Sequence, residues 1–169
     1  MDCNLNCPLR LYSKLKYKGI GNTTSNRMII IPYIDSYCRT NLTKNQIYKK
    51  LNEIYNKHFK RDLIDDFYIT SLLKCKSNKN VDYNSVVNIC SRYYLNREIF
   101  TYNPSVILLI GNATNYVINK STNVAIHRIY NIYGRRYLSI NNPKIEEYIE
   151  NMNFEASVLK VFNYMIFNV

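Results

Sequence analysis

Three short runs, Met28 to Ile31, Phe67 to Leu73 and Val106 to Ile110, are apolar nearly throughout and rich in isoleucine, leucine and valine. A strand with one wet face alternates polar and apolar residues, so runs without alternation belong in a sheet covered on both faces. Between the first two, Thr43 to His58 repeats Ile47, Leu51, Ile54 and Tyr55 at helical spacing. Between the second and third, Tyr83 to Phe100 carries Val86, Val87, Cys90, Tyr94 and Leu95 on one helical face. The order strand, helix, strand, helix, strand predicts parallel strands joined by right-handed crossovers. Tyr137 to Ile140 adds a fourth candidate strand, and Phe154 to Phe167, with Val158, Phe162 and Ile166 in register, a closing amphipathic helix. The expected fold is α/β, a three-layer sandwich around a central parallel four-stranded sheet.

With no repeat, low-complexity linker or composition break, residues 1–169 read as one domain, large enough to bury a core without disulfide staples. No apolar stretch has membrane-spanning length, and MDCNLNCPLR does not read as a signal peptide. Five cysteines leave an odd thiol, which points to a reducing, cytoplasmic setting. Asn-x-Ser/Thr triplets such as Asn41-Leu42-Thr43 are then accidents of an Asn-rich composition.

A formal charge of +11, interleaved with 17 tyrosines, favours polyanions. Neutralised phosphates release counterions, and tyrosine rings stack on unpaired bases. Nucleic acid is the expected partner ahead of an anionic membrane, although an AT-rich coding sequence accounts for part of the Tyr, Asn, Ile and Lys excess.

Four cysteines fall in two pairs: Cys3 and Cys7 before the first strand, Cys75 just past the second and Cys90 within the following helix. Thiolates in this number hold tetrahedral zinc or an iron-sulfur cluster. Zinc sites favour compact pairs, and the 14 residues between Cys75 and Cys90 are more cluster-like. The competing reading makes Cys75 and Cys90 buried apolar side chains. Cys38 has no partner and reads as structural. Gly111 follows the third strand at once, which permits a tight turn where α/β folds place ligands.

Asp66-Phe-Tyr-Ile-Thr-Ser-Leu-Leu-Lys-Cys75, then Cys90-Ser-Arg-Tyr-Tyr-Leu95, then Asn103-Pro-Ser-Val-Ile-Leu-Leu-Ile-Gly-Asn-Ala113 resemble the central portion of family 4 uracil-DNA glycosylases. Those enzymes share a strand ending in Lys-Cys, a helix cysteine and a Pro-to-Gly strand and turn. Their amino-terminal cysteine pair matches Cys3 and Cys7, with C-x3-C here in place of C-x2-C, and their Gly-x-Gly segment matches Gly19 and Gly21. The resemblance covers residues 3 to 143. It implies a four-iron four-sulfur cluster on Cys3, Cys7, Cys75 and Cys90 (zinc in the same cage being the alternative), which holds the amino terminus against a loop that approaches DNA.

The family's site residues do not carry over. Its glycine-rich loop with an acidic residue corresponds to Ile31-Pro32-Tyr33-Ile34-Asp35, where Asp35 is displaced by about three residues from the acidic position. The stacking aromatic has no counterpart in Leu42 to Ile47, the edge-reading asparagine is Ser71, and the late His-Pro motif is matched by Asn142-Pro143. His58 and His127 fall elsewhere and read as surface or half-buried histidines.

Base excision needs extrusion, edge reading, stacking and charge stabilisation together, so the resemblance implies a catalytically inactive glycosylase-fold protein. It would bind DNA or serve as a polymerase-associated or processivity element beside a replication protein, by analogy in a phage or other virus and hence in host cytoplasm. An active uracil-DNA glycosylase using Asp35 or Asn142, and a protein-interaction factor, are the alternatives. Candidate DNA contacts, expected near the cysteines and the strand carboxyl ends, are Lys14, Lys16, Lys18, Arg39, Lys44, Lys74, Lys76, Lys79, Arg128, Arg135 and Arg136. Arg135-Arg136 beside Tyr133 and Tyr137 is the most nucleic-acid-like group.

Overall fold

In the computed structural model, which describes residues 7–11, 16–34, 41–76, 80–118, 129–140 and 152–168, the apolar runs become the centre of a six-stranded sheet. The strands are β1 (Ile20–Gly21), β2 (Arg27–Ile31), β3 (Tyr68–Ser71), β4 (Val106–Ile110), β5 (Ile129–Ile132) and β6 (Arg135–Ile140). Their spatial order is β1-β3-β2-β4-β6-β5. The four central strands are parallel, as expected from sequence, and an antiparallel strand closes each edge.

Alternation along these buried strands divides their side chains between two layers. Ile29, Ile31, Ile69, Leu108, Ile110, Leu138 and Ile140 face one way, under α1 (Gln46–Phe59) and a long carboxyl-terminal helix (Met152–Phe167). Met28, Ile30, Tyr68, Ile107, Leu109 and Tyr137 face the other way, under α3 (Tyr83–Cys90), α4 (Asn96–Tyr102) and α5 (Ala113–Val117). A short α2 (Leu63–Asp66) leads into β3, and the carboxyl-terminal helix is α6. Each fully buried aliphatic or aromatic side chain contributes about 1.5–3 kcal/mol.

Local chemistry sets the helix ends. Asn45 caps α1 by accepting from the Ile47 and Tyr48 amides, and Lys60 ends it in the left-handed conformation at φ 58°. Asp82 caps α3 by accepting from Asn84 and Ser85. Between α3 and α4 the helix continues as a π turn, Ser91–Leu95. One surplus residue there makes Leu95, five after Cys90, the next buried position, so Tyr94 is only half-buried. A regular helix would have kept Tyr94 inward, as the sequence spacing predicted.

Candidate functional site at the carboxyl ends of the sheet

Consecutive crossovers leave β2 toward β3 and β3 toward β4 on opposite sides of β2, so the topological switch lies between β2 and β4. The crevice beyond such a switch is where open α/β sheets take ligands. Gly111 turns there with φ 53°, and its amide donates to the Ile140 carbonyl at 2.8 Å.

On the β3 side of β2, away from that switch, the segments leaving β2 and β3 stay paired. The Leu72 amide donates to the Ile31 carbonyl at 2.8 Å, and Ile34 forms a parallel bridge with Lys76. Pro32 and Ile34 are buried. Tyr83 reaches across from α3 to donate to the Pro32 carbonyl at 2.8 Å, and the Asn45 amide group donates to the Tyr33 carbonyl at 3.1 Å. Ser71, at the end of β3, is buried and its hydroxyl donates to the Leu73 carbonyl. Phenols gather at this mouth. Burial, then the neighbouring Tyr116 and Tyr33, push the Tyr83 hydroxyl well above the usual phenol range.

Three cysteines far apart in sequence share one neighbourhood beside this mouth. Cys75 and Cys90 are buried and Cys7 packs against the same apolar cluster, with no disulfide joining these three. Burial pushes the Cys90 thiol up to about 11; the Lys74 amide, donating to its sulfur at 3.3 Å, and the Lys74 ammonium oppose this, while Cys75 and Cys7 add to it. Among the described residues no group of three cysteine, histidine or carboxylate side chains is arranged to hold a metal ion. Cys3 and Cys38 lie outside the described residues.

Lys74 is itself at the centre of a buried network. Its ammonium donates to Thr70 and, at 2.5 Å, to Glu98, which also accepts from Thr70 at 2.7 Å. Burial pulls the ammonium below the usual lysine range, with Glu98 and then Cys90 opposing the shift. The Lys74 carbonyl accepts from the Tyr17 amide at 2.7 Å, which lays residues 16–18 alongside. Lys16 donates to the Tyr94 hydroxyl at 2.6 Å and stands over its ring at 4.3 Å. These groups, with Lys18, Arg97 and Tyr102, line a cavity of about 340 Å³.

The sequence model of the Uracil DNA glycosylase superfamily matches residues 31–162, most of the chain. The chain belongs to the uracil-DNA glycosylase superfamily. Comparison with curated proteins returns no match.

Within this glycosylase fold the expected DNA contacts are not all in one place. Lys16, Lys18 and Lys74 line the cavity above, with Lys74 turned inward onto Glu98. Lys44 is exposed in the turn after β2, and Lys76 is half-buried past β3. Arg135 and Arg136 correct the expectation that the basic residues flank the strand carboxyl ends, because they begin β6 at the opposite end. Strand alternation also separates them. Arg135 donates to Asn103 at 2.8 Å, while Arg136 crosses to α6, donating to the Asn168 carbonyl at 2.5 Å and the Tyr164 hydroxyl at 3.3 Å. Tyr137 is buried.

His58 is exposed and meets Glu155 at 2.9 Å. Lys14, Asp35, Arg39, Lys79, His127, Arg128, Asn142 and Pro143 lie outside the described residues. Arg97 and Glu98 were missed from sequence. The partners of Glu98, Thr70 and Lys74, lie two elements away, and no local pattern signals that.

Proposed function

We propose that this superfamily member is catalytically silent and works as a DNA-binding accessory unit, of the kind that accompanies a polymerase or another replication protein. The observation that carries this reading is the position of Ser71. Where the resemblance expects an amide that reads a base edge, a buried hydroxyl is committed to its own backbone at Leu73. The neighbouring loop supports the same reading, since Ile31 to Ile34 stays paired with residues 72–76 and leaves no glycine for close approach of a base. Incubation with a uracil-containing oligonucleotide, with protein in excess, should leave no alkali-labile sites above a protein-free control. Scission above that control would establish an active glycosylase and sink the proposal.

DNA binding rests on Lys16, Lys18 and Arg97 around the 340 Å³ cavity, whose lining also includes Tyr94 and Tyr102. Each phosphate neutralised steepens the salt dependence of log affinity by about 0.7 for a single strand and 0.9 for a duplex. Binding that is flat from low to physiological salt would remove this part of the reading.

For the cofactor, the reading is a four-iron four-sulfur cluster on Cys3, Cys7, Cys75 and Cys90, with a structural role. Three of these thiols come from three separate segments, and an amide already donates to the Cys90 sulfur, as is common around such clusters. A cube of four irons is wider than a single ion, which suits thiols that share a neighbourhood without converging on one point. Bound, the cluster would tie the amino terminus to the loop after β3. Anaerobically purified protein should be yellow-brown and contain iron and sulfide, and Cys75→Ser should bleach it. Stoichiometric zinc in place of iron would replace the cluster, and colourless, metal-free, folded protein would end the cofactor reading.

A further inference from the structure

The helical layer has a second flank that the DNA reading does not use. A groove of about 430 Å³ runs between the α3–α4 helix and the β5–β6 hairpin, lined among others by Arg92, Ile99, Phe100, Ile132, Tyr133 and Arg135. Two large rings stand almost free on its rim, Phe100 at 82% exposure and Tyr133 at 94%. Tyr133 also holds a left-handed backbone, φ 50°, in a two-residue hairpin turn with Gly134 at φ 76°. Such turns favour Asn or Gly at this position. A bulky residue kept there, with its ring in water, is strain that no packing offsets, and strain of this kind concentrates at functional positions.

The charge of the groove is one-sided. Among the described residues no carboxylate lines it, whereas Arg92 and Arg135 do. Arg135 is oriented by Asn103, yet its Nε is buried and finds no acceptor. Between these arginines the lining is aliphatic and aromatic. A nucleic-acid strand asks for a track of cations along its phosphates; two arginines around Ile99 and Ile132 suit an apolar side chain with a carboxylate beside it.

We infer that this groove is a docking site for an acidic segment of a partner protein, one that inserts an aromatic or aliphatic side chain beside Phe100 and Tyr133 and sets a carboxylate against Arg135. Exposed tyrosine and arginine around an apolar centre are the usual residues of a binding hot spot. The inference stands apart from the DNA-binding reading, whose residues lie on the other flank of the same helix.

The test is to pan a random linear peptide library on the immobilised protein, with the Phe100→Ala and Arg135→Ala variants as counter-targets. Selected peptides should place Asp or Glu next to an aromatic or aliphatic residue. Synthetic copies should lose about tenfold or more in affinity for either variant and should slow hydrogen exchange in residues 91–102 and 129–137 of the native protein. Circular dichroism of Phe100→Ala should match the parent, since the ring is exposed. Failure to select any peptide, selection of basic or uncharged ones, or undiminished binding to both variants would overturn the inference. So would oligothymidylate binding that falls in the same two variants, which would make the groove a nucleic-acid surface.

Discussion

The layer of α1 and α6 and the layer of α3 to α5 cover the same four parallel strands with very different materials. The first is a stack of rings and aliphatics: Tyr55 lies edge-on to Phe67 at 5.5 Å and to Phe162 at 5.2 Å, and Phe67 meets Phe162 at 5.7 Å. The second holds two buried thiols with a third packed against them, a buried lysine and a π turn, and carries two clefts. Buried polar groups cost stability unless every one is paired. The difference teaches that stability resides in the apolar layer, which leaves the other free to carry groups that bind.

The largest effect should come from Phe162→Ala in the apolar layer, a loss of about 3–5 kcal/mol through the cavity it leaves. Urea unfolding measures it, and DNA affinity at temperatures where the variant is folded should not change. Loss of affinity there would break the division between layers.

Next comes Lys74→Ala in the other layer, which strands a largely buried Glu98 carboxylate at a cost of about 3 kcal/mol. Joint replacement of Lys74 by Met and Glu98 by Leu should recover most of that in the same unfolding measurement. Unlike Phe162→Ala, the single variant should also weaken DNA binding, because Glu98 and Tyr17 shape the basic cavity. A Lys74→Ala protein with parental stability and affinity would show that the network is incidental.

Alkaline pH probes both layers at once. Burial, with Asp62 and Asp65 nearby, pushes the Tyr48 hydroxyl up to about 12, and burial raises Tyr55 and Tyr68 further. Folded-state values above the unfolded value near ~10 mean that these phenols stabilise fully below pH ~10. That contribution is lost as pH rises toward 12 and beyond. Phenolate absorbance should therefore show a late phase that coincides with loss of helical circular dichroism; a late phase complete before unfolding would contradict it.

The smallest effect is expected at Glu155, where His58 and then Lys57 hold the carboxyl at about 2 on the open surface. A depressed value stabilises above the ordinary carboxylate range and is lost as pH falls from about 4.5 toward 2. Glu155→Gln should lower neutral-pH stability only slightly, because exposed pairs are screened by solvent, and the parent and variant stabilities should converge as pH falls toward 2.

The sheet centre was legible because its strands are buried on both faces and need uniformly apolar side chains. The expected runs at Met28 to Ile31 and Val106 to Ile110 became β2 and β4 nearly residue for residue. The edges were not legible. β1 is two residues held against β3 by Gly21 at φ 95°, and β5 alternates exposed and half-buried residues that give no strong pattern. A signal for β5 did exist in Tyr133-Gly134, a two-residue turn between short runs. At the candidate site, the meeting of Cys7, Cys75 and Cys90 followed from their order along the fold. The Lys74–Glu98 pair did not, because a contact across 24 residues leaves no periodic trace.

The surplus residue in the α3–α4 helix sets the rotational phase of everything after it. In a helix of 3.6 residues per turn, winding Ser91 to Leu95 regularly with none removed would close the π turn and swing the downstream half by about 100°. Glu98 would leave Lys74 and Phe100 would leave its groove in a single step. Both clefts are thus geared to the same short stretch of backbone, whereas a one-codon deletion there would give a regular helix with both clefts still in phase.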